Sequence, residues 1–229
     1  MLLVSPARLK TLIVNFKNYP EIQGDGSVRL ALAIKRVADT VDVEAIAAPP
    51  TPMISLVAAK TGVQVYSQSL GSAAGDRTTG AVVPEAVRAA GATGTILNHS
   101  ESRLAPAELE KLVPRVVGVG MEVCLCAQTP EEAAELSHFG TKYLAIEPPE
   151  LIGSGVAVSR AKPELIEKTV SAARKAGFGG KILCGAGIVS GEDVSKAVQL
   201  GADGILVASS VVKARDWESK VRELANSLK

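Results

Sequence analysis

Eight short runs of apolar, largely β-branched residues recur along the chain, and segments with helical spacing lie between them. The runs are Leu12-Ile13-Val14, Ala45-Ile46-Ala47, Val63-Gln64-Val65-Tyr66 and Gly94-Thr95-Ile96-Leu97 in the first half. Glu122-Val123-Cys124-Leu125-Cys126, Tyr143-Leu144-Ala145-Ile146, Lys181-Ile182-Leu183-Cys184 and Gly204-Ile205-Leu206-Val207 follow in the second. Most are nearly continuous in apolar character, as parallel strands covered on both faces must be. Among the intervening segments, Val28, Leu32, Ile34 and Val37 make an apolar stripe beside Arg29, Lys35 and Arg36. Residues 104–117 follow the same logic, with Leu109, Leu112, Val113 and Val116 facing in, as do 131–139, 163–176, 191–200 and 217–228. Pro163 suits a first helical position, and Ser190-Gly191-Glu192-Asp193 loads acid into a first turn. Gly62, Gly91, Gly140, Gly177 and Gly201 punctuate helix ends, where a left-handed backbone is needed. Eight strands alternating with helices predict an α/β protein built as a (β/α)₈ barrel, with a doubly wound open sheet as the main alternative. No linker or low-complexity stretch interrupts the alternation, so the expectation is a single domain over residues 1–229.

Composition removes several classes of function. Lys plus Arg total 25 against 24 Asp plus Glu, a net charge of +1, which argues against nucleic acid or an anionic membrane as partner. Leu2-Leu3-Val4 ahead of Ser5-Pro6 is too short for the apolar region of a signal peptide. No apolar run approaches the roughly 18 residues of a membrane span, and the expected location is the cytoplasm. Cys124, Cys126 and Cys184 are an odd count in apolar surroundings and read as reduced core residues. Cys124 and Cys126 alternate onto one strand face, where a packed barrel interior explains them better than a metal does.

In such barrels the chemistry sits just past the C-terminal ends of the strands. After the sixth run comes Glu147-Pro148-Pro149-Glu150-Leu151-Ile152-Gly153-Ser154-Gly155. A carboxylate at the end of a buried strand, with prolines stiffening its exit, suits a general base, and the glycine-bounded loop beyond suits a lid. The same pattern also fits an ordinary strand end turning toward solvent. After the first run come Asn15, Phe16 and Lys17; the lysine could hold an anion, or could be a snorkelling surface residue. After the fourth come Asn98, His99, Ser100 and Glu101. Of the two histidines, His99 is the candidate, and His138, near a helix end beside Gly140, reads as solvated or capping. With no second histidine placed to join His99, a zinc site has little support. Gly185-Ala186-Gly187 after the seventh run and Ala208-Ser209-Ser210 after the eighth are small-residue turns leading into helical stretches, a setting that favours a phosphate group.

Taken together and in order, these five motifs closely resemble the triosephosphate isomerase family, and the short chain is similar to its archaeal branch, over about residues 13–213. The resemblance implies a TIM barrel acting without metal or cofactor on a small phosphosugar. It implies Glu147 as general base, His99 as electrophile, Lys17 as the cation beside the enediolate, Asn15 as a shaper of that site, and Glu101 as the carboxylate that orients Lys17. It places the substrate phosphate on N–H groups around Ile152, Gly153, Gly187, Ala208 and Ser209. It further implies a neutral imidazole at His99 whose pKa is lowered by a helix N-terminus, this family being the type case of that arrangement, and Ser100-Glu101 could open such a turn. Three departures stand out: Ser102 where many members carry arginine, a lid without a bulky aromatic, and Ala208-Ser209 where others have paired glycines. The compact polar stretch from Gln68 to Val83 and the archaeal likeness lead us to expect a homotetramer, with a dimer as runner-up. A pentulose-phosphate epimerase would share the phosphate turns but needs more histidines than this chain has, and an indole-glycerol-phosphate synthase would carry a different lysine and glutamate pattern. A non-catalytic sugar-phosphate sensor would be expected to lack Lys17, His99 or Glu147, and all three are present.

Overall fold

Each of the eight apolar runs forms a strand, and the eight strands close on themselves. The computed structural model describes residues 9–75, 77–148 and 158–229. The strands are β1 (Lys10–Asn15), β2 (Val43–Ala48), β3 (Gln64–Ser67), β4 (Gly94–Leu97), β5 (Glu122–Ala127), β6 (Tyr143–Ile146), β7 (Lys181–Cys184) and β8 (Gly204–Val207). Each pairs in parallel with the next, and β8 returns to β1 through the register Thr11↔Gly204 to Val14↔Val207. The closed ring decides between the two architectures that periodicity left open: this is a (β/α)₈ barrel.

The helices form the outer layer. They are α1 (Asp25–Ala38), α2 (Ile54–Thr61), α3 (Pro84–Ala89), α4 (Pro106–Gly118) and α5 (Pro130–Leu136), then α6 (Val158–Ala161), α7 (Pro163–Lys175), α8 (Gly191–Gln199), α9 (Ser209–Val212) and α10 (Trp217–Asn226). Periodicity does not single out the short α2 and α3, although the glycines that stop them stand out. Gly62, Gly91, Gly140, Gly177 and Gly201 all have positive φ, between 58° and 100°. Residues 137–139 leave the α5 helix for a 3₁₀ turn that Gly140 caps. Beside that glycine, His138 bonds the Glu135 carbonyl and the Glu110 carboxylate and stays exposed, as expected of a helix-end residue. The Trp217 indole donates to the Val212 carbonyl at 2.9 Å, with the Arg29 guanidinium over its ring. Among the described residues no helix is long and apolar enough to cross a membrane.

Two apolar layers result from strand alternation. Outward side chains such as Leu12, Val14, Leu125 and Ile146 pack under the helices. Inward ones, including Ile13, Ile46, Ile96, Leu183 and both Cys124 and Cys126, fill the barrel. All three cysteines are unpaired and buried. Tyr66 and Tyr143 tilt against each other inside, with ring centres 6.3 Å apart. Gly94 makes room for the Tyr66 ring, and at Gly204 a Cβ would collide with the Thr11 carbonyl oxygen across the closing seam.

A charged network fills the barrel's N-terminal end. Lys142 Nζ lies 2.7 Å from Glu44 and 2.6 Å from Glu122, Lys181 Nζ lies 2.7 Å from Glu44, and the Tyr66 hydroxyl donates to Glu122 at 2.5 Å. Burial pushes the Glu44 carboxyl up, but hydrogen bonds from Lys142 and Lys181 outweigh it and bring the pKa to about 2.

Two outcomes are expected from this packing. Gly204→Ala should lower stability by about 2 kcal/mol or more, because backbone oxygen cannot yield, whereas Gly118→Ala meets open space in a helix and should be neutral or stabilising. Equal melting temperatures for the two variants would refute the steric reading of the seam. Glu44, with its pKa depressed from 4.5 to about 2, contributes stability that is present above pH 4.5 and lost as pH falls toward 2. Glu44→Gln should therefore be less stable than wild type at neutral pH and should flatten the stability profile between those values in acid-unfolding curves.

Candidate active site

Strand ends bring described residues of all five sequence motifs to one mouth. A single cleft at the C-terminal rim is lined by Asn15, Lys17 and Tyr19 from the first loop, His99 from the fourth and Glu147 from the sixth. Ala186, Gly187, Ile188 and Val189 after β7, Leu206 and Val207 of β8, and Ala208, Ser209 and Ser210 after it form the rest of its wall.

Lys17 is not a free surface side chain. Its side chain is 17% exposed, and Nζ sits 2.7 Å from Glu101 Oε1, so the ammonium is held by a carboxylate from the fourth loop. Its backbone is left-handed, with φ 48°, a conformation that side-chain-bearing residues adopt only when their surroundings enforce it. Asn15 Oδ1 accepts the Lys17 N–H at 3.0 Å, and Gln68 Nε2 donates to the Lys17 carbonyl at 2.9 Å and to Ala48 at 3.0 Å. Gln68, just past β3, is a site residue that sequence reading missed; extending the after-strand rule to the third strand would have found it.

His99 is buried and held by the turn it starts. The Glu101 N–H donates to Nδ1 at 3.1 Å, which requires a lone pair there, so the neutral ring carries its proton on Nε2. Ser102 N–H closes the turn on the His99 carbonyl at 2.8 Å, and the next helix begins only at Pro106. The turn that Ser100-Glu101 could open is therefore present as a single turn, and its Glu101 N–H meets the imidazole. Asn98, with φ 61°, anchors the turn by donating to the Cys126 carbonyl at 3.0 Å and accepting from Leu104 N–H at 3.2 Å. Arg103 pairs with Glu132 beside it. Ser102 meets Ser69 at 3.1 Å, hydroxyl to hydroxyl.

Glu147 follows β6, its N–H bonded to Ala127 at 2.8 Å. The residue is 5% exposed, and Oε1 lies 3.3 Å from His99 Nε2. Oε2 is buried with no nitrogen or oxygen partner among the described residues. Cys126 sits beside it; burial, then Cys124 and the Glu147 charge, push that thiol well above its ordinary pKa, so it adds no second negative charge.

The far wall offers backbone donors. Gly187 has φ 74°, and among the described residues neither its N–H nor that of Ile188 has a partner. Ser209 and Ser210 begin α9, where first-turn N–H groups have no intrahelical acceptor. The start of α8 is different. Asp193 Oδ2 takes the N–H groups of Val189 and Ser190, and Glu223 takes that of Gly191 at 2.8 Å. The helix end that sequence suggested for an anion is thus capped by the protein's own carboxylates, and the open donors lie in the turn before it. Ile152, Gly153 and the rest of the expected lid lie outside the described residues, apart from Pro148. Among the described residues no three His, Cys, Asp or Glu side chains group as a metal site would require.

Fold and mouth together define a (β/α)₈-barrel enzyme, with a carboxylate and an imidazole facing each other at its C-terminal rim. Comparison with known proteins narrows this further. Residues 10–225 match the model of the family described as triosephosphate isomerase. Curated relatives named triosephosphate isomerase occur in Cenarchaeum symbiosum (44% identical, 97% of this chain and 99% of the relative) and in Pyrobaculum calidifontis (42%, 96% and 97%). A third, from Caldivirga maquilingensis, is 40% identical over 96% of this chain and 98% of its own length. The chain belongs to the triosephosphate isomerase family, and its activity is that of an isomerase.

The Glu101 N–H to Nδ1 bond leads to a spectroscopic expectation. Imidazole ¹⁵N shifts of neutral His99 should show a protonated Nε2 and a bare Nδ1. The opposite pattern would remove the donor that faces Glu147.

Proposed function

We propose that this chain interconverts D-glyceraldehyde 3-phosphate and dihydroxyacetone phosphate through an enediolate. One observation carries the proposal: Glu147 Oε1 and His99 Nε2 face each other at 3.3 Å in a cleft that also holds Lys17 and a wall of backbone donors. Glu147 acts as general base, taking the proton from the carbon next to the carbonyl. His99, as neutral imidazole, donates from Nε2–H to the carbonyl oxygen and moves protons between the two oxygens. Lys17 stabilises the charge that develops on them. Asn15 shapes the oxygen site by holding the Lys17 N–H, and Glu101 orients the ammonium. The phosphate rests on N–H groups of Gly187, Ala208 and Ser209, together with those of Ile152 and Gly153.

Base, proton donor and cation are all side chains, so the proposal calls on neither metal nor cofactor. We place the enzyme in glycolysis and gluconeogenesis in the cytoplasm, as a single-domain protein in a homotetramer, with a dimer as the alternative assembly.

The test is interconversion of the two triose phosphates with a chelator present, for wild type and Glu147→Gln. Wild type should turn over rapidly, and the variant should lose roughly three orders of magnitude in kcat. A silent wild type would remove the reaction, whereas activity surviving the substitution would keep the reaction and remove Glu147 as its base.

A further inference from the structure

Asp193, in the first turn of α8, does more than a helix cap requires. Its side chain is fully buried, and Oδ2 accepts the Val189 N–H at 3.1 Å, the Ser190 N–H at 2.9 Å and the Ser190 hydroxyl at 3.0 Å. A capping box needs only the Ser190 bond. The other oxygen, Oδ1, faces Nε of Arg160, which comes from a different element, α6. Arg160 Nη2 also reaches Glu192 at 3.0 Å and the Ser190 hydroxyl at 3.3 Å. The Glu192 contact is solvent-exposed and worth little, but the Asp193 contact compensates a charge that would otherwise be buried. Burial raises the Asp193 pKa, yet the two backbone bonds, Ser190 and Arg160 bring it below the ordinary value, so the carboxylate stays ionised.

Val189 and Ser190 directly follow the turn whose Gly187 and Ile188 N–H groups are open, and residues 186–189 line the cleft. We infer that Arg160 and Asp193 are positioning residues for the anionic end of the substrate: by pulling the N–H groups of Val189 and Ser190 onto one buried carboxylate, they fix the preceding turn so that Gly187 and Ile188 present their N–H groups to a phosphate. Neither side chain lines the cleft; the effect passes through the backbone. The inference rests on the phosphate-binding part of the proposed function.

Arg160→Met and Arg160→Lys test it, with Asp193 left in place because its loss from a buried capped turn could unfold α8. For each variant one measures KM and kcat with glyceraldehyde 3-phosphate, the dissociation constant of inorganic phosphate by calorimetry, and kcat/KM for glyceraldehyde, which has no phosphate. Arg160→Met should raise both KM and the phosphate dissociation constant about tenfold while leaving glyceraldehyde turnover unchanged. Lysine keeps the charge but cannot span Asp193 and Glu192, so it should give a smaller shift in the same direction, and it decides alone if the methionine variant fails to fold. Unchanged phosphate binding, an equal loss on glyceraldehyde, or no phosphate binding by wild type would each overturn the inference. A wild type that binds phosphate but isomerises nothing would overturn the proposed reaction instead, and the phosphate comparison would still decide the positioning role.

Discussion

The parallel ladder between β8 and β1 is the constraint on which everything at the mouth depends. Thr11 N–H reaches the Asp203 carbonyl at 3.1 Å, and four residues of each strand stay in register across the seam. A closed parallel sheet has all its strand C-termini on one rim. Residues as distant in sequence as Asn15, His99, Glu147, Gly187 and Ser209 therefore need only follow their own strands to meet. The seam has a steric condition as well, since Gly204 is where the two backbones come too close for a side chain.

The two rims use charge differently. At the N-terminal end, Glu44, Glu122, Lys142 and Lys181 bind one another across β2, β5, β6 and β7, so charges that would be costly alone are matched. At the C-terminal end, Glu147 keeps a buried oxygen without a nitrogen or oxygen partner, and Lys17 holds a left-handed backbone. Each of those features is unfavourable by itself. They persist because the shell around them is satisfied: Asn15 and Gln68 hold Lys17 from both sides, and Asn98 fixes the start of the His99 turn. A strained backbone and a buried, unpaired carboxylate oxygen beside an imidazole can be held at the mouth because the shell around them is satisfied, and they fit the active site proposed there.

How much of this could be read from the chain follows from the range of each interaction. Strands are local apolar runs, so all eight were legible, and glycine stops are local too, which is why Gly62 and Gly91 were seen although α2 and α3 were not. Those helices span eight and six residues, too few turns for a stripe to stand out against their loops. Residues right after strands were legible by position, and the resemblance supplied their expected roles. What stayed hidden depends on contacts across the barrel. Gln68 reaches Lys17 over 51 residues, and Glu44 meets Lys142 over 98 and Lys181 over 137, separations at which no spacing rule operates. The turn at Ser100-Glu101 stays a single one for a local reason: Ser102 N–H turns back to the His99 carbonyl, and the α4 helix begins only at Pro106, a residue suited to a first turn.

The division of donors after β7 explains why small residues are needed there. A helix N-terminus attracts an anion through free N–H groups and the positive end of its dipole. At the start of α8 much of this is taken up: Glu223 accepts the Gly191 N–H, the Ser190 hydroxyl accepts that of Asp193, and the Asp193 carboxylate, holding the N–H groups of Val189 and Ser190 just before the helix, brings negative charge there. An anion in the cleft is therefore left with the turn before the helix, where donors are single peptide groups rather than a helix end. Peptide groups can approach a ligand only where side chains do not intervene, and Gly187, with its positive φ, supplies that on one side. On the other side α9 keeps its first-turn N–H groups free at Ser209 and Ser210 and carries no acidic residue there. Two adjacent strand ends thus contribute unlike donors to one wall: a turn freed by a self-capped helix, and the uncapped start of a short one.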